Sequence, residues 1–269
     1  MRGLTSSAAM LAAIGVCASA AHALEPLKIY DKFAEKPLDP ARWLEFERVR
    51  EVRGAGVLRL MQRSWGIGVA DSGLTFQNWN STLTNPATVT ALRARINVTA
   101  LETHVCPSNP AVSQARARIA GTFFNTGTPI PGSQVGDALA QIRVTRFSNS
   151  ADPEGVLRVQ GFLAICSSPD CSAAGVVGNI VDLGTVAVGT PTVVQMNWDR
   201  GGKTFTFLRD NGAYAGAVAY TFDDSSPPSS PFKHLGTRVD LPNCQSAPVV
   251  DALVDVKFDN VQVNQGALP

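Results

Sequence analysis

The sequence predicts an all-β protein, an antiparallel two-sheet sandwich (jelly roll) formed as one domain over residues 24–269. Three observations lead there. Past residue 23 no long apolar period of 3.6 residues appears, two-residue alternation recurs along the chain, and Gly-, Asn- and Asp-rich turns separate the alternating runs. No Gly/Ser-rich linker or block of like charge divides the chain, and sandwiches of this length commonly form a single unit.

The first 23 residues stand apart. Arg2, the apolar run Ala8 to Ala21 and the ending Ala21-His22-Ala23 read as a cleaved export signal, because the run is too short and too Ala-rich to span a bilayer. Cleavage after Ala23 makes Leu24 the mature N-terminus and places the protein outside the cytoplasm, in the periplasm or secreted, with no transmembrane anchor. Cys17 lacks the small-residue pattern that precedes a lipidated cysteine, so a lipid anchor is not expected.

Strands follow in order at Val57–Met61, Leu92–Val98, Ala115–Ile119, Ala138–Val144, Val156–Val159, Val193–Trp198, Phe205–Leu208 and Val254–Phe258. Turns are expected at Gly54-Ala55-Gly56, Asp152-Pro153-Glu154-Gly155, Asp199-Arg200-Gly201-Gly202 and Asp210-Asn211-Gly212, where positive φ favours Gly and Asn. Within Leu92–Val98, Leu92, Ala94, Ile96 and Val98 share one face while Arg93, Arg95 and Asn97 share the other. Ala115, Ala117 and Ile119 oppose Arg116 and Arg118 in the same way. The proline-rich run Phe222–Pro231 cannot be a central strand and reads as a surface connector.

Of 23 basic residues only Arg2 lies in the export signal, so 22 basic face 22 acidic residues in the mature chain. A net charge near zero argues against a nucleic-acid partner. Four cysteines remain after cleavage, an even number in an exported chain, and three pairings are possible. The favoured one joins Cys166 to Cys171 and Cys106 to Cys244.

Two terminal patterns, Asp31-Lys32-Phe33 with Leu38-Asp39-Pro40-Ala41-Arg42-Trp43 and Phe258-Asp259-Asn260-Val261-Gln262-Val263, go with Gly56–Leu60 and the hairpin Trp198–Phe207. Together they resemble the concanavalin A-like lectin/glucanase superfamily in its laminin-G-like bacterial form. That resemblance implies first and last strands lying side by side, and it bears on fold more than on function.

Catalytic motifs of that superfamily are missing. Its glucanases carry Glu-x-Asp-x-x-Glu on a strand, which has no counterpart here; Glu45 and Glu47 share a strand phase but have Arg42, Arg48 and Arg50 beside them for ion pairing. Alginate lyases of this fold pair an Arg-rich strand with Gln-Ile/Val-His, whereas here Gln141-Ile142 is followed by Arg143. There is no Gly-x-Ser-x-Gly, phosphate loop or His-Glu-x-x-His, and no zinc spacing among the cysteines. His104 and His234 read as surface histidines. No cofactor is expected, and calcium is the one metal left open, with Asp71, Asp223 and Asp224 as candidate oxygen ligands outside any calcium-loop spacing.

Trp65-Gly66-Ile67-Gly68 through Asp71 to Gln77-Asn78-Trp79-Asn80 is the best candidate for binding a glycan. Trp79 and Trp65 supply apolar platforms for a sugar's C–H face, and Asn78, Asn80 and Asp71 supply partners for its hydroxyls. The alternative places both indoles in the core, as is expected for Trp43 and Trp198. A second candidate is the arginine set Arg93, Arg95, Arg116, Arg118 and Arg143, which could grip carboxylated or sulfated polysaccharide or could be a solvated face balanced by Glu102, Asp137 and Glu154. The leading functional reading is a non-catalytic carbohydrate-binding sandwich whose partner is a polysaccharide. The alternatives are an adhesive cell-envelope module and a divergent polysaccharide-cleaving enzyme.

Overall fold

Two-residue alternation along the chain becomes fourteen strands in the computed structural model, which describes residues 25–32, 50–54, 56–65, 70–244 and 251–269. The stretch expected to be an export signal, the segment holding Trp43, Glu45 and Glu47, Gly66–Val69 and the side chain of Trp65 lie outside the described residues. In order the strands are β1 (Leu27–Asp31), β2 (Arg50–Arg53), β3 (Val57–Trp65), β4 (Leu74–Thr82), β5 (Ala91–Thr103), β6 (Gln114–Asn125), β7 (Asp137–Phe147) and β8 (Val156–Cys166). They continue with β9 (Ala174–Ala187), β10 (Thr192–Asp199), β11 (Thr204–Arg209), β12 (Tyr214–Ala219), β13 (Lys233–Pro242) and β14 (Asp251–Asn264).

Eight strands form one sheet in the order β12-β11-β10-β5-β14-β3-β2, with β1 added beside β14; six form the other in the order β4-β13-β6-β7-β8-β9. Every neighbouring pair is antiparallel. The β1–β14 pairing puts the first and last strands side by side.

The sheets meet over a shared apolar core. Leu92, Ala94, Ile96 and Val98 of β5 face Ala117 and Ile119 of β6 and Ile142 and Val144 of β7, all buried. Arg93 and Arg95 point outward, Arg95 to Asp259 at 3.4 Å. Within the same core Phe123, Phe124, Trp198, Phe205 and Tyr220 pack ring against ring, with the Trp198 indole donating to the Tyr220 hydroxyl at 2.8 Å. The turns fall where expected, with Asn211 and Gly212 at φ +59° and +93°.

Cys106 pairs with Cys244 and Cys166 with Cys171. The first bridge staples the end of β5 in one sheet to the end of β13 in the other, while the second closes a short loop after β8. Among the described residues no helix is long and apolar enough to cross a membrane.

One strand departs from the half-buried pattern. All twelve residues of β6 are buried, so the face carrying Arg116 and Arg118, opposite the core, is also covered. That second covered face is the candidate site.

Candidate functional site

Strand register lays this face out in rungs across the six-stranded sheet. The first joins Asn78, Arg238 and Arg116; the next joins Asn80, Gly236, Arg118, Arg143 and Gln160; the third joins Thr82, His234, Ala120, Gln141 and Phe162. Because side chains alternate along each strand, these rungs point the same way, away from the core. Above them lies a cleft of about 420 Å³. Gly236 and Ala120 keep its floor low: a Cβ at Gly236 would run into the Asn80 side chain and the Trp79 carbonyl.

Arg118 is 6% exposed, and its fork is held by neutral oxygens alone. It donates to Gln141 Oε1 at 3.2 Å, to Asn78 Oδ1 at 3.0 Å and to Asn80 Oδ1 at 3.3 Å. Arg116 and Arg238 share Asp240, at 3.0 and 2.7 Å. Arg143, next to the cleft, donates both arms to Gln160 Oε1 and packs against the rings of Phe147 and Phe162. Four guanidinium groups thus crowd around one carboxylate. Burial pulls the pKa of Arg118 down to about 9, with Arg238 adding repulsion, and pulls Arg116 down in the same way.

Hydrogen-bond accounting points the same way. Arg116 Nε, Arg118 Nε and Gln141 Nε2 are buried without an acceptor, and so is His234 Nε2 without a partner. Buried donors are almost always paired, so a cluster of orphans in one place calls for an explanation. Among the described residues the floor holds more guanidinium groups than carboxylates, and several of its buried donors lack an acceptor.

The other end of the cleft is different. Leu139, Ala164, Val176 and Phe232 line it, and the disulfide loop brings Asp170, Cys171 and Ser172 to its rim. Phe232 stacks on His234 with ring centroids 4.8 Å apart, and burial drives the His234 pKa well down, so its imidazole is neutral. His234, expected at the surface, is 5% exposed on the cleft floor. Ser230, from the Pro-rich connector, also reaches the lining, because the buried Asp137 carboxylate accepts from the backbone N–H of Ser229 and Ser230 at 2.7 and 3.1 Å.

The structure splits the first sequence-derived site and joins half of it to the second. Asn78 and Asn80 face the cleft and hold Arg118, whereas Trp79, between them on β4, faces the opposite way toward Arg50, Leu60 and Met61 and is half-buried. A sugar cannot stack on Trp79 and bond Asn78 or Asn80 at once. Asp71 lies in the bend before β4, near the Cys106–Cys244 bridge and outside the cleft lining, while Trp65 ends β3 in register with Asp251. The arginines divide as well: Arg93 and Arg95 stand on the outer face of the eight-stranded sheet, Arg116 and Arg118 in the cleft, Arg143 against it. Nor do the expected acids balance them. Asp240 pairs Arg116, Glu102 lies near Arg63, and Asp137 anchors the connector.

No metal centre gathers the candidate aspartates. Among the described residues the one group of three possible ligands is Asp71 with Cys106 and Cys244, whose sulfurs are joined to each other. Asp223 accepts from Ser225, and Asp224 from Tyr220 and Arg200. The sequence reasoning missed His234, Arg238, Asp240 and Phe232. Their one signal was the alternation His234, Gly236, Arg238, Asp240, polar or small at every second position.

No family model matches the sequence, and no curated protein matches it. Among solved structures, the chain is similar to the carbohydrate recognition domain of Emp46p in its potassium-bound form, at 9% identity and TM-score 0.43, covering 86% of this chain and 96% of that one. It is similar to LamAcat from Zobellia galactanivorans at 12% identity and TM-score 0.40 (92% and 99% covered), and to the alginate lyase Aly36B at 10% and 0.39 (92% and 95%).

Proposed function

We propose that this protein binds a carboxylate-bearing glycan in the cleft over the six-stranded sheet, with Arg118 as the anchor. One observation carries the reading: Arg118 is buried on the cleft floor with no carboxylate bonded to it among the described residues, beside the orphaned donors Arg116 Nε and Gln141 Nε2. A guanidinium fork matches a carboxylate in shape and charge, and the two asparagines and Gln141 hold that fork flat against the floor. Leaving such a charge buried and unpaired costs the fold free energy, which a ligand carboxylate returns on binding. Calorimetry with hyaluronan, alginate or polygalacturonate oligosaccharides beside neutral dextran tests this. Binding of an acidic glycan and not of dextran is expected, and Arg118→Gln is expected to weaken it by about 2 kcal/mol or more. Equal affinity for dextran, or an unaffected Arg118→Gln, sinks the reading.

A second reading, cleavage of the bound glycan, is favoured by the neutral His234 ring on the same floor with Nε2 unpartnered. A neutral imidazole beside a site that draws charge out of a carboxylate can take the proton α to it, the electron pair forming a C=C bond as the glycosidic C–O bond β to the carboxylate breaks and the leaving oxygen takes a proton from water. Incubation with the same oligosaccharides, followed by mass spectrometry, decides: shortened unsaturated products support cleavage, and intact oligosaccharides leave binding alone.

A further inference from the structure

The cleft is divided along the strand direction. Arginine stands at one end, whereas the end formed by Leu139, Val176 and Phe232 has no arginine or lysine in its lining. The Arg118 fork reaches Gln141 Oε1 at 3.2 Å, and from Gln141 to Leu139 is two residues of β7, about 7 Å at the usual rise of a strand. That is roughly one sugar along a chain, so the two ends meet neighbouring sugars.

At the apolar end a single carboxylate, Asp170, is held in a fixed position. Cys171 closes the loop onto Cys166, the Gln134 N–H donates to the Pro169 carbonyl at 2.8 Å, and the Gly136 N–H donates to the Cys166 carbonyl at 2.8 Å. Asp170 Oδ1 accepts from the Ser172 N–H at 3.0 Å and from the Ser168 hydroxyl at 2.9 Å. Bonds from Ser172 first, then Ser168, bring its pKa down to about 2, so it is ionised across the working pH range. Its partners are these neutral donors, and no described cation pairs with it.

Resting on the acidic-glycan reading, we propose that Asp170 makes the cleft selective for glycans whose acidic sugar is flanked by an uncharged one, and against chains charged at every residue. The acid occupies Arg118, and the flanking ring lays its C–H face or an acetyl methyl on Leu139 and Phe232. A second carboxylate at that end meets the exposed Asp170 with no described cation to offset the repulsion, which water and salt screen to about 1 kcal/mol at contact distance, severalfold in affinity. The device is a built-in penalty against the wrong chain rather than an added attraction to the right one.

The test uses the full, disulfide-bonded protein and two probes of matched length: hyaluronan oligosaccharide, charged at alternate sugars, and oligogalacturonate, charged at every sugar. By calorimetry at low salt the wild type is expected to bind hyaluronan severalfold more tightly than oligogalacturonate, with the gap narrowing as salt rises. Asp170→Asn, which keeps an acceptor for Ser172, is expected to close that gap by tightening oligogalacturonate alone, and Asp170→Lys to reverse it. Melting curves confirm that both variants fold. Equal wild-type affinities, or a gap that survives Asp170→Asn and Asp170→Lys, overturn the selectivity and leave Arg118 as anchor intact. Failure of both probes to bind the wild type overturns the acidic-glycan reading and the selectivity with it.

Discussion

Two buried cations show how this fold keeps charge for different ends. Lys233 is 1% exposed; its ammonium donates to the Pro86 and Thr122 carbonyls and sits 4.0 Å from the Phe123 ring centroid. With no carboxylate beside it among the described residues, burial brings its pKa down to about 7, against about 10.4 for a lysine in water. Between those values the unfolded chain binds the proton and the folded chain does not, so stability rises with pH from about 7 to about 10. Melting temperature is expected to climb through that window in the wild type, and Lys233→Met is expected to lose the climb between about pH 7 and 9, below the range in which Arg118 adds its own. Arg118 makes the opposite trade, because nothing inside the protein requires its charge. Replacing such a group by a neutral one is commonly neutral or stabilising. Arg118→Gln should therefore hold or raise the melting temperature while binding is lost; a melting temperature that falls with binding would make Arg118 a structural residue. Neither role was legible in the sequence, which shows that Arg118 points away from the core but not that the second face is covered.

At the scale of elements, alternation carried the strand assignments and also exposed where they stopped short. In β5 the phase was legible because both faces differ in chemistry: Ile96 is 1% exposed and Arg95 lies outside. Ile96→Asp is expected to unfold the domain, whereas Arg95→Gln leaves the melting temperature nearly unchanged, since Arg95 loses only an exposed ion pair with Asp259. In β4 both phases mix polar and large apolar residues, the strand contributes to two different places, and proximity in sequence was no guide to proximity in space. Asn78 and Asn80 hold Arg118 from one side of β4, and Trp79 packs toward β3 from the other. Trp79→Ala is accordingly expected to lower stability and to leave glycan affinity within about twofold, the reverse of what an exposed sugar platform would show. Calorimetry and melting on that one variant separate the two. The cleft draws on all six strands of its sheet, with β4 and β13 brought beside β6 from far away in sequence, which no local pattern encodes.

The whole molecule is stapled twice, and the two staples do separate jobs. Cys106–Cys244 closes 138 residues and ties one sheet to the other, so its effect on the unfolded chain is large, an upper estimate of about 5 kcal/mol from loop-closure entropy. Cys166–Cys171 closes a separation of 5, for which the same reasoning gives only about 2 kcal/mol, but Cys171 and Asp170 stand at the cleft rim. Stability and binding should consequently respond to different bridges. The double variant Cys106→Ala/Cys244→Ala is expected to lose several kcal/mol in chemical denaturation, at unchanged affinity for acidic glycan in the protein that remains folded, because that bridge lies outside the cleft lining. Cys166→Ala/Cys171→Ala is expected to melt closer to the wild type yet to lose discrimination between glycans, since the loop that fixes Asp170 is released. If the short bridge instead governs stability and the long one governs binding, the cleft has been placed at the wrong end of the sandwich.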